Sequence, residues 1–409
     1  MLEIHEALAN MLAATTAKTT ARSTATENCL LADSVGRFLA NDVIATINVP
    51  PADNSAMDGY AINTTDITSY PVTLPISQRI PAGTAPQPLT KGTAARIYTG
   101  AETPPQSNAV VMQENCELLT PDDEGFDENV PHVRILQAAY AQENVRSCGQ
   151  DIAVGSTVLQ KHKKITPQDI GLLASIGIAN VTAFTRLKVA FVGTGDELVT
   201  PGTPLKAGQI YNSNQPMLMA ILKDMGCDIV ANNWVEDTLE ATINALNHAA
   251  QIADIVITIG GVSVGDEDHV KNAVTTLGQV DLWKINVKPG KPIAFGHIHD
   301  AIFIGLPGNP VSAYITLLLF GKPVIETCQG GIHQEVAPLH LPAQFTINKP
   351  QRRPEFLRVK IGPQGVESYP NQSSGVLSSV CWADALALVP ANTTIAQNDI
   401  VHVWPLKLL

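Results

Sequence analysis

The sequence is poor in charge, and poor in positive charge above all. Charged residues make up 16% of its 409 residues, whereas an average soluble protein has about 25%. The 26 Lys and Arg are outnumbered by 38 Asp and Glu, which gives a net charge of −12. Such a chain gains no overall attraction to DNA or RNA through counterion release, so we expect no nucleic-acid partner. The hydrophobic content of 45% excludes a disordered chain and is sufficient for several cores.

Clustered cysteines, a signal peptide and long apolar runs are also absent. The six cysteines stand singly, without CxxC or Cys/His spacing, so we expect neither a zinc site nor a disulfide scaffold. The N-terminus has Glu3 and Glu6 and no base before Lys18, which is the reverse of a signal peptide. No apolar run reaches the ~18 residues of a membrane helix. These features predict a soluble, cytoplasmic protein that does not associate with membranes, and the length favours about two to four domains.

Hydrophobic periodicity predicts different structures along the first half of the chain. Ile4, Leu8 and Met11 share one helical face, which predicts an amphipathic helix at the start. Short β-rich runs broken by Pro and Gly fill residues 30–150 and predict a β domain without regular helices. A connector containing a predicted helix over 165–177 follows.

Strands and helices alternate from residue 187 onwards. LKVAFVG (187–193) is a continuous apolar run, as expected of a buried parallel strand. The predicted helices that follow cover 213–226, 238–251, 266–277 and 310–327. Alternation over this length predicts an α/β layered domain with a mostly parallel sheet. From about residue 331 the pattern becomes β-rich again.

The loop after the first of these strands is GTGDELVTPG (193–202). In open α/β sheets, ligands bind where loops leave the carboxyl ends of strands. This loop lacks the third glycine of the dinucleotide-binding fingerprint, which argues against NAD. It presents Asp196 and Glu197, which are either solvated surface acids or functional carboxylates. Their place directly after a buried strand favours a functional role.

A second loop, GGVSVGDED (260–268), joins a predicted strand to a predicted helix. Its glycines allow close approach of a ligand, and a helix N-terminus offers unpaired N–H groups to an anion. Asp266 fits a helix N-cap, and Asp268 lies in the first turn, where acids are favoured in any case. Carboxylates at 197 and 268 beside an anion nest also match the requirements of a Mg²⁺–phosphate site.

Two lysines and a rigid turn lie further along the chain. If residues 283–288 are extended, Lys284 and Lys288 lie on one face, where their charges repel unless an anion lies between them. A strand edge protected by lysines is the alternative. In LPGNPVSAY, Asn309 as N-cap and Pro310 at the first helical position explain much of the pattern.

Other polar residues have structural explanations. DTLE (237–240) has the spacing of a capping box, so Asp237 is expected to cap a helix, although a cap can also contact a ligand. The polar segment 50–62 is typical of turns. His297 and His299 lack the spacing of metal ligands and have no nucleophile nearby in sequence, so Ser/His/Asp catalysis has no support.

Eight motifs together resemble one family. They are NSAMDGYA (54–61), RIYTGAETP (96–104), VRSCGQD (145–151), GTGDEL (193–198), GQIYNSN (208–214), GGVSVGDED (260–268), WKINVKPGKP (283–292) and LPGNPVSA (306–313). In this order they resemble the molybdopterin molybdenumtransferase (MoeA) family, to which the gephyrin E domain is related. The resemblance runs from about residue 4 to 405. Only the α/β part would be expected in a simple molybdopterin-binding protein.

The resemblance implies a multidomain α/β plus β fold and a homodimer. Four domains are expected: a helical and mixed connector, an N-terminal β domain, a central molybdopterin-binding α/β domain and a small C-terminal β-barrel. Their expected ranges are, in that order, 1–26 with 145–186, 27–144, 187–330 and 331–409. The family's active cleft lies between the α/β domain of one subunit and the N-terminal β domain of the other.

The resemblance also implies a reaction. Adenylylated molybdopterin and molybdate give molybdenum cofactor and AMP, with Mg²⁺ or a similar divalent ion to neutralise the charge that develops as the anhydride breaks. Contacts with the upstream adenylyltransferase and with recipient molybdoenzymes or chaperones are expected.

Site residues follow from the matching motifs. The expected catalytic residues are Glu197, Asp268, Lys284, Lys288 and Asp58. Glu197 and Asp268 would also bind the metal, and the two lysines would hold molybdate or the phosphates as point charges. The residues expected to contact molybdopterin and its anhydride are Thr99, Gly193, Asp237, Gly260, Gly261, Ser263, Gly265, Pro307, Pro310, Arg353 and Ser373.

The C-terminal region matches the family less closely. Arg352, Arg353 and Arg358, with the pair Ser373–Ser374, resemble the family's anion-contacting arginine and serine, and which arginine aligns stays open. Solvated basic surface is the alternative for two of the three.

Two other functions are considered: a molybdopterin-binding carrier or scaffold, and a molybdopterin adenylyltransferase. Both are disfavoured because the carboxylates, the lysines and the additional domains occur together.

Overall fold

The computed structural model describes residues 2–22, 25–261, 269–290 and 292–409, and the chain forms two compact units. The first unit comprises residues 1–41, 162–166 and 181–409, and the second comprises 42–161 and 167–180. The first unit begins with α1 (Ile4–Arg22) and β1 (Thr26–Leu30), followed by a 3₁₀ turn, Leu31–Asp33.

The second unit is built on strands, as the sequence predicts for residues 30–150. Its six-stranded sheet has the order β7–β4–β6–β5–β9–β8, and β5 and β6 are its only parallel neighbours. Apolar side chains are buried on both faces of this sheet, with Ile62 on one face and Ile97 on the other. The elements of the unit are β2 (Val43–Ile44), β3 (Asn54–Ser55), β4 (Gly59–Ile62), β5 (Val72–Ile80), β6 (Ala94–Ile97), β7 (Ala109–Met112), β8 (Cys116–Leu118), β9 (His132–Ile135), β10 (Val145–Arg146), β11 (Thr157–Leu159) and α2 (Pro167–Ser175), with 3₁₀ turns at Thr64–Asp66 and Gln113–Asn115.

The first unit contains a six-stranded mixed sheet covered by helices on both faces, which confirms the predicted α/β layered domain. The strand order is β16–β13–β17–β20–β19–β18; the first four strands are parallel, and β19 is antiparallel to its two neighbours, β20 and β18. Its elements are β12 (Asn180–Phe184), β13 (Lys188–Thr194), β14 (Leu198–Val199), β15 (Ile210–Tyr211), α3 (Asn214–Asp224), β16 (Asp228–Val235), α4 (Leu239–Ile252), β17 (Ile255–Ile259), α5 (His269–Leu277), β18 (Gly278–Lys284), β19 (Pro292–Ile298), β20 (Ala301–Leu306), α6 (Pro310–Thr316) and α7 (Lys322–Cys328).

The two faces of this sheet have separate apolar cores. On one face, Leu218 of α3, Val311 of α6 and Met11 of α1 pack in a single cluster. On the other face, Leu246 of α4 and Val270 of α5 belong to a second cluster. The amphipathic face predicted for α1 is therefore the one that packs on the core.

Helices α6 and α7 are joined by a π-helical stretch, Leu317–Gly321, into one continuous helix from Pro310 to Cys328. By length and composition this helix could cross a membrane, the only one to do so among the residues described. The search for uninterrupted apolar runs in the sequence missed this helix, because Lys322 and Glu326 interrupt its apolar residues. Two thirds of its most apolar window is buried inside the fold, as expected of a core helix.

The C-terminal region is a curled sheet of five antiparallel strands in the order β21–β25–β24–β22–β23. The two edge strands, β21 and β23, do not pair along their length, and a single bridge between Ala343 and Val366 joins the β21 end of the sheet to β23. The small β-barrel that was predicted is therefore observed as a half-barrel. The elements are β21 (Leu339–Pro342), β22 (Glu355–Gly362), β23 (Gly365–Ser368), α8 (Ser378–Trp382), β24 (Ala385–Val389) and β25 (Ile400–Pro405). The four-domain boundaries stay a prediction.

Candidate functional site

Three loops meet at the carboxyl edge of the parallel strands β13, β17 and β20. The loop after β17 contacts the other two: a Cβ added at Gly261 would lie 3.9 Å from Thr194 Oγ1, and one added at Gly308 would lie 3.7 Å from the Gly260 Cα. The Asn214 side chain, at the start of α3, donates to the Gly308 carbonyl at 2.6 Å. Parallel strands bring their carboxyl ends to one edge of a sheet, which is where α/β proteins bind ligands.

Two glycines of these loops are required by close packing. Gly193 is buried under the Trp234 ring, and a Cβ there would lie 2.0 Å from the nearest ring carbon. Gly261 has φ +64°, and a Cβ would lie 2.5 Å from Val270 Cγ2. Glycine at these two positions is therefore explained by the fold alone, without reference to a ligand.

Gly260 is different, since a Cβ there would meet nothing within 4 Å. Its φ of +82° is a left-handed conformation that favours glycine, and its open side leaves room for a ligand to approach the backbone. Ser263, Gly265, Asp266 and Asp268 lie outside the residues that the structure describes.

Glu197 is exposed in the turn after β13. Its main-chain carbonyl accepts a hydrogen bond from Ile210 N at 2.9 Å, which ties this turn to β15. Its carboxylate lies beside Gly195, where an added Cβ would be 2.8 Å from Glu197 Oε2. The carboxylate is thus at the loop edge and accessible to a ligand.

The prediction that Asp237 caps helix α4 is wrong. The N-cap is Thr238, whose hydroxyl accepts from Ala241 N at 3.3 Å, whereas Asp237 lies one residue before the cap and is exposed. The Thr238 hydroxyl reaches the backbone N–H three residues further on, which is the usual geometry of an N-cap. Threonine is one of the residues favoured at this position. Asp237 therefore has no capping role that would explain its presence.

Residues 283–288 do not form one extended strand, which was the condition for placing Lys284 and Lys288 on the same face. Strand β18 ends at Lys284, and the next residues are held instead by segments distant in sequence. Ile285 forms a bridge with Leu2, and Lys288 forms one with Glu355. Lys284 and Lys288 therefore do not share the face of one strand, and the strand-edge alternative does not apply to Lys288. We refer to residues 285–290 as the lysine loop.

The lysine loop packs against helix α6. A Cβ added at Gly290 would lie 2.9 Å from Thr316 Cγ2. Asn309 is the N-cap of α6 by its backbone conformation and Pro310 is the first helical residue, although the Asn309 side chain forms no capping hydrogen bond. Pro307 is buried and Pro310 is half-buried, so the two prolines hold this turn against the core.

The C-terminal half-barrel adds two arginines to this region. Arg353 donates from Nη1 to the carbonyl of Val287 in the lysine loop at 3.0 Å. Arg358 is completely buried, and burial lowers its pKa to about 10 while the Glu355 charge opposes this. It donates to the Ser373 carbonyl at 3.3 Å. Arg352 is exposed, which fits the solvated alternative.

Ser373 and Ser374 reach the same place through their main chain. Ser374 O accepts from Val311 N at the start of α6 at 3.0 Å, while Ser373 N donates to Asn371 Oδ1 at 3.0 Å. Arg353 and Ser373 are thus brought to the region of the lysine loop, and whether they contact an anion remains a prediction.

In the second unit, Asp58 and Thr99 form two hydrogen bonds with each other. Asp58 Oδ1 accepts from Thr99 N at 2.7 Å and from Thr99 Oγ1 at 2.8 Å. These two hydrogen bonds, helped by the charge of Arg96, hold the pKa of the Asp58 carboxyl below its usual range. Asp58 is therefore an ionised acceptor at neutral pH.

Sequence reasoning missed the side chains that surround this pair. The guanidinium carbons of Arg79 and Arg96 lie 5.1 and 4.8 Å from the Tyr98 ring centre, and Arg79 Nε donates to the Tyr98 hydroxyl at 2.9 Å. That hydrogen bond, together with those from Arg96 and the positive charges, lowers the pKa of Tyr98. The RIYTG motif contains two of the three residues; Arg79 comes from a neighbouring strand and had no local signal.

The donor set for a divalent ion is incomplete in the part of the chain that is described. No group of three or more His, Cys, Asp or Glu side chains that could hold a metal is found within it. Exposed carboxylates at Glu197 and Asp237 supply the hard oxygen ligands that Mg²⁺ prefers, and Mg²⁺ usually needs only one or two from the protein. The ligand type suits magnesium, but the described residues do not assemble a binding site, and magnesium dependence stays a prediction.

Comparisons with known proteins match the whole chain to one group. Residues 2–177 match the MoeA N-terminal region (domain I and II), 190–327 a probable molybdopterin binding domain, and 340–406 the MoeA C-terminal region (domain IV). The molybdopterin molybdenumtransferase of Haemophilus influenzae is 38% identical over 418 residues, covering all of both chains. Molybdopterin molybdenumtransferase 2 of Mycobacterium tuberculosis is 34% identical and covers 92% of this chain and 94% of its own.

A crystal structure of the molybdopterin biosynthesis MoeA protein from Pyrococcus horikoshii OT3 is also similar. It has a TM-score of 0.80 at 25% identity, and the match covers 98% of this chain and 99% of that one. The likeness therefore extends over the full fold, including the C-terminal half-barrel.

Proposed function

Because the chain belongs to the MoeA family, we propose that it is a molybdopterin molybdenumtransferase that inserts molybdenum from molybdate into adenylylated molybdopterin and releases AMP. The observation that carries this proposal is the convergence, at one edge of the central sheet, of glycine turns, the lysine loop and arginines from the half-barrel. Its substrates carry phosphate and oxyanion groups, which such a site is suited to bind.

Each part of the site has a proposed task. The open backbone at Gly260 admits the anhydride closely, and Pro307 and Pro310 fix the turn against which the pterin lies. Lys284 and Lys288 hold molybdate or the phosphates, and they do so as compact charges rather than as planar forks. In the proposed homodimer, Asp58, held ionised by Thr99, accepts hydrogen bonds from the substrate bound at the other subunit's α/β domain.

We further propose dependence on Mg²⁺, with Glu197 and Asp268 as its ligands and Asp237 nearby. A divalent ion, when bound, neutralises negative charge that develops on the phosphate oxygens as the anhydride breaks. The homodimer, the cytoplasmic location and the contacts with an upstream adenylyltransferase and recipient molybdoenzymes or chaperones are further parts of this proposal.

The test uses the purified full-length protein with adenylylated molybdopterin, Mg²⁺ and molybdate. AMP release is followed together with molybdenum bound to the pterin. AMP release that requires molybdate and is accompanied by bound molybdenum supports the transferase. Tight pterin binding without turnover would indicate a carrier or scaffold instead.

Variants separate the metal ligands from the rest of the site. Glu197→Ala and Asp268→Ala should lose metal-dependent AMP release in a single turnover, and wild-type behaviour of both would contradict the metal assignment. Glu124→Ala, in an exposed loop of the second unit, is the matched control. Glu124 is preferred to an acid of the first unit such as Glu3, because Glu3 Oε1 accepts a hydrogen bond from Asn286 Nδ2 in the lysine loop at 2.9 Å.

A further inference from the structure

Glu355, at the start of β22, is a buried carboxylate with a lysine partner. Its side chain is 8% exposed, and its Oε1 lies 2.9 Å from Lys288 Nζ, whose side chain is 39% exposed. A buried carboxylate needs a partner to offset the loss of water, and Lys288 supplies it. The pair therefore joins an inaccessible anion to a cation that solvent, and hence a ligand, can reach.

The main chain fixes both members of this pair. Lys288 N donates to Pro354 O at 2.9 Å, and Phe356 N donates to Lys288 O at 2.8 Å, one residue on each side of Glu355. Phe356 is 4% exposed and belongs to the same apolar core as Val287. Both Cα atoms are held in place, so the ion pair restricts the long lysine side chain to a narrow range of positions.

Glu355 also influences a second cation. The Arg358 guanidinium, fully buried, donates to Ser379 Oγ at 3.2 Å and to the main-chain carbonyls of Phe356 and Ser373. All three partners are neutral, and in the described structure no carboxylate lies within ion-pair distance of it. Glu355 is the residue whose charge raises the pKa of Arg358 against the effect of burial.

We propose that Glu355 is the positioning residue for Lys288: it holds the ammonium group at the place where Lys288 meets an incoming oxyanion. The proposal rests on the proposed function in assigning oxyanion binding to Lys288. An ammonium group has three donors, and Glu355 engages one, leaving the others for a ligand. Two cations and one carboxylate leave this cluster with a net charge of one positive unit, which still favours an anion.

The half-barrel thereby gains a specific task in the site. It supplies a residue that substrate does not touch, since Glu355 is buried behind the lysine it holds. If the ion pair only joined the half-barrel to the lysine loop, its loss would weaken the fold without changing how the protein responds to molybdate. The two roles can therefore be separated by experiment.

The first measurement needs no turnover. The full-length protein is treated with limiting acetic anhydride, and acetylation of Lys288 is quantified by mass spectrometry with increasing molybdate. In Glu355→Gln, we expect faster acetylation of Lys288, and about tenfold more molybdate for half-protection, because one charge-assisted hydrogen bond is lost. Glu367→Gln is the matched control, an exposed glutamate on β23 of the same half-barrel, and should behave as wild type.

The second measurement asks whether Glu355 acts through Lys288. In molybdate-dependent AMP release, Glu355→Gln should raise the half-saturating molybdate concentration about tenfold and change kcat less than about twofold. In a Lys288→Met background the same substitution should add nothing further. Glu355→Asp, which keeps the charge, should fall between wild type and Glu355→Gln and serves if the Gln variant folds poorly.

Two results would overturn the proposal: unchanged acetylation and molybdate protection in Glu355→Gln, or an equal loss in the wild-type and Lys288→Met backgrounds. A wild-type protein whose Lys288 is not protected by molybdate would count against the proposed role of the lysines. The effect of Glu355→Gln on acetylation without molybdate would then still decide whether Glu355 holds Lys288.

Discussion

Gly193 provides the sharpest test of the packing described above. A methyl group at this position would lie 2.0, 2.4 and 2.6 Å from three carbons of the Trp234 ring. Carbon atoms in normal contact are about 3.5–4.0 Å apart. Gly193→Ala therefore forces the ring to move by more than about 1 Å, and the hydrogen bond from Trp234 Nε1 to Gly195 O at 3.2 Å is lost as it moves.

The expected magnitude follows from these two losses. Overpacking a well-packed site costs about 1–3 kcal/mol, and the lost hydrogen bond adds about 1 kcal/mol. Since Trp234 is only half-buried, its ring can escape towards solvent, and we expect about 2 kcal/mol in total. In a Trp234→Ala background the methyl group meets no ring, so the same substitution should cost less than about 0.5 kcal/mol.

Amide hydrogen exchange in β13 and β16 is the appropriate assay, because it reports local opening free energies in a chain with two compact units. Gly171→Ala is the matched control, a glycine in α2 whose added methyl group would have no neighbour within 4 Å. Equal costs of Gly193→Ala in the wild-type and Trp234→Ala backgrounds would refute the steric explanation.

Two further predictions concern the second unit. Thr99→Val removes one of the two donors to Asp58, so the pKa of that carboxyl should rise towards its ordinary 3.8 in a carbon-13 NMR titration. The stabilisation from Asp58 is fully present above the ordinary pKa of 3.8 and is lost as the pH falls from there through the lowered pKa of the folded protein. In the variant the two pKa values lie closer together, so the loss should be smaller and should be complete at a higher pH. Arg79→Ala should raise the pKa of Tyr98 towards its ordinary 10.0, measured by NMR of labelled tyrosine, and an unchanged Tyr98 titration would show that the hydrogen bond does not form in solution.

The central sheet was predictable because its strands carry a strong local signal. Every residue of Ile255–Ile259 is buried, and the run is continuous and apolar, which is typical of a parallel strand covered on both faces. Glycine at the end of such a strand marks the loop where ligands bind. The placement of Gly193, Gly260 and Gly261 at one edge follows from these two patterns.

The lysine loop was not predictable in this way. Alternation suggested one strand through Lys288, but Leu2 and Glu355, each distant in sequence, hold the residues that follow Lys284. The Lys288–Glu355 ion pair and the hydrogen bond from Asn214 to Gly308 likewise join residues that share no local motif. Pairings of this kind depend on the tertiary fold and leave no mark in spacing or periodicity.

Asp237 illustrates a different limit. Its capping-box spacing was correct for a helix start, and a helix does begin there, but the neighbouring Thr238 is the cap. When two adjacent residues can both cap, local geometry selects one, and the sequence alone does not say which. The sequence located the start of α4 correctly and assigned the wrong residue to the cap.

The way in which the lysine loop is held also sets when it can form during synthesis. Its first residues pair with Leu2 and Glu3, and Glu3 is 283 residues away from its partner Asn286. At about 5–20 residues per second, the ribosome needs roughly 15–60 s to make that stretch. During this time α1 also lacks α7, which it contacts in the folded protein. The lysine loop then also waits for Phe356, so it is among the last parts of the protein to mature, and truncations before β22 leave it without its second support.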